Sequence, residues 1–371
     1  MSLPSSPISQ AGPAEREHGS SSSWRWKILF LCGLLALVGA IVWQVANRQQ
    51  NGMIAGRPLS SPQTHLHTVV ISPRPGVVYL GTHYGLFTST DGGRTWPQSQ
   101  GVLNTNMITS IAVSPSNPNL LAVLAVPTSG LSGRMGIYVS ADAGQHWRFT
   151  LPAHLAASAF PYSIQAAPGG RGHFYAFFTY AGWFETQDLG QHWSAITAGS
   201  LASIQTPSLL IDPANPAHLL MGGDQGLFET RDDGRNWQKV AAVQGYVSAL
   251  VATVPRTGQP RVIFCATDQG LYRWQEGQAI AQVAHLPAPA PSLRLAVSAD
   301  GSALYALFRS DLWFSPDLGT TWTRREHFAR GDMVALVLDP TNPEHLLAGF
   351  YSPGLVMSSS NGAISWRVLT D

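Results

Sequence analysis

From residue 64 to the C-terminus, short apolar runs alternate with polar turns rich in Gly, Pro, Asn and Asp. "SIAVS", "LLAVLA", "GIYVSA" and "WRFTL", all within residues 110–151, make four such runs in one stretch. Runs this short, bounded by turn residues and rich in Val, Ile, Phe and Tyr, predict strands rather than amphipathic helices. The pattern also repeats. "IAVSPSNPNLLAVLA", "LIDPANPAHLLMGG" and "LVLDPTNPEHLLAGF" recur in phase, and seven units begin near residues 65, 107, 158, 205, 245, 290 and 332. Four strands per unit at a period of about 44 residues predict an all-β, seven-bladed β-propeller, each blade running from an inner through a second and third to an outer strand.

The first 63 residues read differently. Residues 1–23 are rich in Ser, Pro and Gly with no apolar period, as in a solvated tail. Between Lys27 and Arg48 lie 20 uncharged residues, flanked by Trp24, Trp26 and Trp43. About 20 apolar residues suffice to cross a bilayer, and tryptophans favour its interfaces. Residues 24–46 are therefore expected to form one N-terminal transmembrane signal anchor. The competing reading is a cleaved signal peptide with "VGA" at Val38–Ala40 as the cleavage site, although the apolar run continues past it. Arg25 and Lys27 precede the span, which places the N-terminus in the cytoplasm and the propeller outside the cell membrane. Residues 47–63 form a linker, and 64–371 the propeller.

Within the units one octapeptide stands out: "STDGGRTW" (89–96), "SADAGQHW" (140–147), "TQDLGQHW" (186–193), "TRDDGRNW" (230–237) and "SPDLGTTW" (315–322), with an eroded "SSNGAISW" at 359–366. The gap between Trp237 and Trp322 is close to twice the others, and "DQGLYRWQEG" at 268–277 fills the slot of a unit that lost its copy. The octapeptide belongs in the hairpin between third and outer strands. Its aspartate is expected to accept backbone N–H groups two residues on, its glycine supplies positive φ, and its tryptophan buries a large face between blades. Asp91, Asp142, Asp188, Asp232 and Asp317, with Trp96, Trp147, Trp193, Trp237 and Trp322, are thus expected to be structural.

Composition narrows the chemistry. The 22 basic and 21 acidic residues are interspersed, for a net charge of +1, so no footprint for nucleic acid is visible. Cys32 and Cys265 are apart in sequence and without metal spacing, and read as apolar fillers. His65 and His67 share a strand face, but the sequence shows no partners for a metal. No cofactor is expected.

The octapeptides resemble the Asp-box, or BNR, repeat Ser-x-Asp-x-Gly-x-x-Trp, across roughly residues 64–371. The resemblance implies a propeller of the kind found in sialidases, xyloglucanase-type glycoside hydrolases, sortilin-like receptors and photosystem II assembly factors. The sialidase Arg-Ile-Pro motif is missing, and "SPRPG" at 72–76 is a poor substitute. Xyloglucanases place a cleft between two propellers, whereas this chain has room for one. The cysteine-rich module that follows the sortilin-type propeller has no counterpart before Asp371. A single membrane-held propeller is the architecture of the assembly factors. By elimination, the resemblance implies a propeller used for binding.

Loops joining second to third strands share one face, opposite the Asp boxes. They offer His83, Tyr84, Arg134, Tyr180, Asp224, Gln225, Asp268, Gln269, Arg309, Asp311 and Tyr351 to an upper rim. The insertion at 126–136 makes the second blade's loop a candidate docking element. The expected function is binding of a protein or glycan partner without catalysis. The alternative is a glycoside hydrolase using Asp224, Asp268 or Asp311, which requires two carboxylates about 5–9.5 Å apart. A bare spacer at the cell surface is a third reading.

Overall fold

Seven antiparallel sheets follow one another along the chain. The computed structural model describes Leu59, Ser61 and residues 64–370, apart from 100, 129–132, 170, 198–200, 202–203, 206, 257–258, 276, 285, 287–292 and 331. The tail, the expected anchor and most of the linker lie outside the described residues. Among the described residues no helix is long and apolar enough to cross a membrane.

The inner strands are Leu66–Ile71, Asn106–Val113, Pro161–Ala166, Ser208–Ile211, Val247–Ala252, Leu293–Val297 and Met333–Asp339. Each starts a sheet ordered as the chain runs, from inner to outer. The fold is a seven-bladed propeller, and the predicted unit starts fall within a few residues of these strands. Six sheets have four strands. The first has three, because Pro97 follows Trp96 and withholds a ladder donor. Its outer edge is reduced to the bridge Phe87–Gln98, with Thr88 N–H donating to Pro97 O at 3.0 Å.

The core lies between blades. Tyr79 and Leu86 of the first blade pack with Ile108 and Val123 of the second. Phe177 and Trp183 of the third meet Leu219 and Met221 of the fourth. Equivalent layers fill every junction, including that between the last blade and the first, where Leu347 and Val356 meet Leu66 and Leu80. Burying one such side chain is worth roughly 1.5–3 kcal/mol, so a closed ring stabilises every blade on both faces. Closure needs no strand exchange among the described residues: the last blade supplies its own outer strand, Arg367–Val368. The seam is held by Leu66 N–H to Tyr351 O at 3.0 Å, Gly354 N–H to Thr64 O at 2.7 Å, and Trp96 Nε1–H to Leu369 O at 3.0 Å. Residues 53–58, the candidate for a swapped strand, lie outside the described residues.

The Asp boxes occupy the predicted hairpins. Asp142 Oδ1 accepts the N–H of His146 at 2.9 Å and the hydroxyl of Ser140 at 2.8 Å, while Ser140 Oγ accepts the N–H of Gly144 at 2.9 Å. The backbone bonds reach four residues along the chain, and in the first box three as well, rather than the expected two. Two consecutive residues, such as Ala143 (φ 59°) and Gly144 (φ 90°), hold positive φ, as a tight hairpin of right-twisting strands requires. The hydrogen bond from the His146 N–H, with that from its ring, lowers Asp142 to about 2; those from the side chain and N–H of Asn236 do the same for Asp232. The tryptophans staple neighbours: Trp193 Nε1–H donates to Thr150 Oγ1 at 3.0 Å and Trp237 Nε1–H to Ile196 O at 3.2 Å, each on the preceding blade. Trp322 donates instead within its own turn, to Gly319 O at 3.1 Å, beside the blade whose box is eroded.

The degenerate copy decides what the aspartates are for. Asn361 Oδ1 accepts the N–H of Ser365 at 3.0 Å and the hydroxyl of Ser359 at 3.0 Å. A neutral amide thus fills the same place, so the turn requires an acceptor and not a charge.

Candidate site at the mouth of the central channel

The strands around the central axis carry a local irregularity. In five blades the pairing of inner with second strand slips by one residue near the upper end, between Leu66 and Thr68, Ile108 and Ser110, Pro161 and Ser163, Val247 and Ala249, and Met333 and Ala335. Each slip inserts an extra residue: His67, Thr109, Tyr162, Ser248 or Val334. Bulges re-aim side chains, and here the extra residue and its successor are solvent-accessible while the residues before them are buried. They form a ring at the mouth of the channel, dominated by hydroxyls. In the sixth blade, where no slip is recorded, the second strand residue is the accessible Arg294. Among all seven inner strands the only carboxylate is Asp339, at the lower end and bonded by His345 at 2.9 Å.

Tyr162 keeps 38% of its surface open to solvent and packs edge-on against Phe177 with ring centres 6.1 Å apart. Burial and then the Tyr246 phenol push the Tyr162 phenol up to about 12, against the pull of Arg294. Burial lowers Arg294 in turn, opposed by Tyr162. The Arg294 guanidinium donates Nε–H to Met333 O at 3.1 Å, across the junction with the last blade. Tyr162 of the third blade therefore senses both Tyr246 of the fifth and Arg294 of the sixth. None of the three was among the sequence candidates. A polar residue at the second position of an otherwise apolar inner strand is the signal that marks Arg294; Tyr162 shares the position but lies in the mixed strand PYSIQA.

At the seam between first and last blades, His83 and Tyr351 of the expected rim meet His65 and His67. The His67 Nε2 and His83 Nδ1 atoms are 3.4 Å apart, and the His65 and Tyr351 rings lie 4.7 Å apart. Burial, followed by the His83 and His65 rings, lowers His67 to about 3. Among the described residues, no three His, Cys, Asp or Glu side chains are arranged to hold a metal ion.

The other candidates disperse. Tyr84 is 2% exposed, so it belongs to the core and not the rim. Arg134 leaves the funnel and stacks on Phe149 of its own outer strand, 3.8 Å from the ring centre. Asp311 also turns outward, accepting from His327 Nδ1 at 2.8 Å with Arg324 at 3.6 Å. Asp224 and Asp268 hold matching places, as expected, but each is spent on backbone: Asp224 Oδ1 accepts Gln205 N–H at 3.3 Å, and Asp268 Oδ1 accepts Tyr246 N–H at 2.7 Å. These bonds tie a loop to the incoming connection of the same blade, rather than closing an Asx turn within the loop. Tyr180, at 70%, is fully presented to solvent, and Arg309 is exposed on the equivalent loop of the sixth blade. Gln225 is half-buried beside Asp224. Gln269 lines an open cleft of 460 Å³ with Gln244, Gly245, Tyr272 and Gln282 on the fifth blade.

Solved structures share this architecture. The chain is similar to a GH74 xyloglucanase from Xanthomonas campestris, with a TM-score of 0.63 and 18% identity over 85% of this chain and 55% of the other. It is similar to YCF48 from Cyanidioschyzon merolae at a TM-score of 0.59 and 14% identity, covering 82% and 98% of the two chains. The propeller domain of Cps50 (Swd1) from Myceliophteria thermophila follows at 0.55 and 15%, covering 80% and 96%. The likeness is one of fold. The chain spans about half the length of the GH74 enzymes it matches. No family model matches the chain, and no curated protein matches it in sequence.

Proposed function

We propose that this chain is a membrane-tethered, extracytoplasmic propeller that binds a protein partner on its upper face, with no chemistry of its own. The observation that carries the reading is the channel mouth: the bulge residue Tyr162 and the inner-strand Arg294 are accessible there, while the acids expected to serve a hydrolase are engaged elsewhere. Tyr and Arg dominate the energetics of protein interfaces. The upper surface beside the mouth is suited to the same end. Val102, Met135, Leu151 and Tyr180 are large, exposed and apolar or amphipathic, and all lie on the upper side of the second and third blades. The connections and loops of that sector contain no Asp or Glu.

A glycan is the second reading, favoured by the neutral amide-lined cleft on the fifth blade. The test uses the full chain in membranes of its source cell, with a photo-reactive residue replacing Tyr180. Irradiation is expected to give a discrete protein adduct that is lost on Tyr162→Ala. Turnover of xyloglucan or an aryl glycoside, abolished by Asp224→Asn or Asp268→Asn without unfolding, would overturn the proposal in favour of a hydrolase.

A further inference from the structure

Arg294 occupies an unusual position for a charge. It is the only Lys or Arg on the seven inner strands, and among the described residues it has no carboxylate partner. Its Nε–H is committed to Met333 O at 3.1 Å, which fixes the plane of the guanidinium and leaves the Nη1 and Nη2 groups without a protein acceptor among the described residues. The acid beside Met333 in the chain is already occupied. Asp332 takes both arms of Arg330, at 3.1 and 2.9 Å, and the N–H of Ser352 at 2.9 Å.

A guanidinium held by its Nε and open at its Nη atoms presents a donor pair in the geometry that a planar oxyanion accepts. Its surroundings sharpen the preference. Tyr162 lines the mouth with the bulge residues Thr109 and Ser248, whose hydroxyls donate to Leu124 O at 3.5 Å and Ala266 O at 3.3 Å, so Arg294 is a single cation among neutral side chains.

We infer that the mouth of the central channel is a carboxylate-binding site, in which Arg294 receives an acidic group from an extended segment of the partner while the Tyr162 ring packs against that segment. This rests on the protein-binding reading above and adds the chemical class that the partner must present. A C-terminal carboxylate and an Asp or Glu side chain offer the same chemistry. A segment is favoured over a globular contact because Arg294 and the bulge residues sit on the innermost strand of each sheet, within the ring of blades rather than on its outer loops.

The test uses the full chain in detergent and four pools of degenerate fluorescent heptapeptides. Two carry one central Asp or Glu and two carry Asn or Gln there; within each pair, one pool has a free and the other an amidated C-terminus. Fluorescence anisotropy is expected to show binding of carboxylate-bearing pools at least about tenfold tighter than the pool without any, the scale of one charge-assisted hydrogen-bonded pair. The comparison of terminal with side-chain pools identifies the source. Arg294→Gln should abolish the difference, Arg294→Lys should restore part of it, and Arg309→Gln on the exposed loop should leave it intact. Thermal melting of each variant separates lost binding from lost folding. Equal binding of all four pools, no binding of any, or an unchanged preference in Arg294→Gln would overturn the carboxylate site, as would capture of sialyllactose in place of peptide. If the Tyr180 adduct persists in Arg294→Gln, the carboxylate site falls while the protein-binding proposal stands.

Discussion

The two faces of this ring are built from the same seven blades by opposite means. The lower face repeats one solution. A hydroxyl, an acceptor two residues on, two residues at positive φ and a tryptophan return in blade after blade with hydrogen bonds that agree to within a few tenths of an ångström. The upper face repeats only its backbone. The N–H of the loop residue bonds the carbonyl that precedes the inner strand in several blades, as in His83 to His65 at 2.9 Å and Asp268 to Tyr246 at 3.1 Å. The side chains at the mouth differ among the six blades that supply one: His67, Thr109, Tyr162, Ser248, Arg294 and Val334. Uniformity suits a part whose task is the same everywhere in the ring, whereas variety on a fixed frame suits recognition of something asymmetric.

The largest effect that separates the faces is expected on the lower one. Trp237→Ala removes an inter-blade ring and its bond to Ile196, and should cost about 2–3 kcal/mol in denaturant unfolding, with peptide and partner binding unchanged in the folded fraction. Tyr162→Ala should do the reverse, weakening partner binding about tenfold while unfolding shifts by less than about 1 kcal/mol.

Acid sharpens the contrast at the seam. His67 is held neutral in the fold, with its folded value near 3 and its unfolded value near 6.5. The unfolded chain therefore binds the extra proton first. Its contribution to stability is complete above pH 6.5 and is lost as pH falls from there towards 3. His67→Gln should flatten that limb of a melting curve measured against pH. His65, His83 and Tyr351 face the same ring and remain in the variant.

The smallest effect belongs to the box acids. Asp142→Asn should barely move the melting temperature, because Asn361 already performs the role. Asp142→Ala should lower it measurably, since the N–H of His146 loses its acceptor. What the charge adds is complete above the ordinary 3.8 and is lost in acid, as pH falls from there towards the folded value of about 2.

How much of this was legible in the sequence follows the same division. The lower face was, since an octapeptide with a fixed acid, glycine and tryptophan encodes its own hairpin within eight residues. Blade number and order were legible from its spacing, and the lost copy at Asp268–Gly277 was recoverable from phase. The upper site was not. A bulge adds one residue without changing the apolar pattern, so the ring of re-aimed side chains left no periodic trace. Tyr162 and Arg294 are far apart in the chain and share the channel mouth only because seven blades close a circle. Loop residues were assigned to the rim by position alone, yet neighbours in one turn point different ways: His83 joins the seam cluster and Tyr84 turns into the core. Asp311 and Arg134 were drawn outward by outer-strand partners, His327 and Phe149, that a one-dimensional reading does not place beside them.

Matched charge reversals on the two faces weigh the division directly. One full-length variant carries Tyr162→Asp and Arg294→Glu; the other carries Arg94→Glu and Arg235→Glu beside the Asp boxes. Yield of the photo-cross-linked partner and melting temperature are read from both. The expected result is loss of the adduct in the upper variant with melting preserved, and full adduct yield in the lower one. An adduct that survives upper reversal but disappears on lower reversal would contradict the assignment of recognition to the channel mouth.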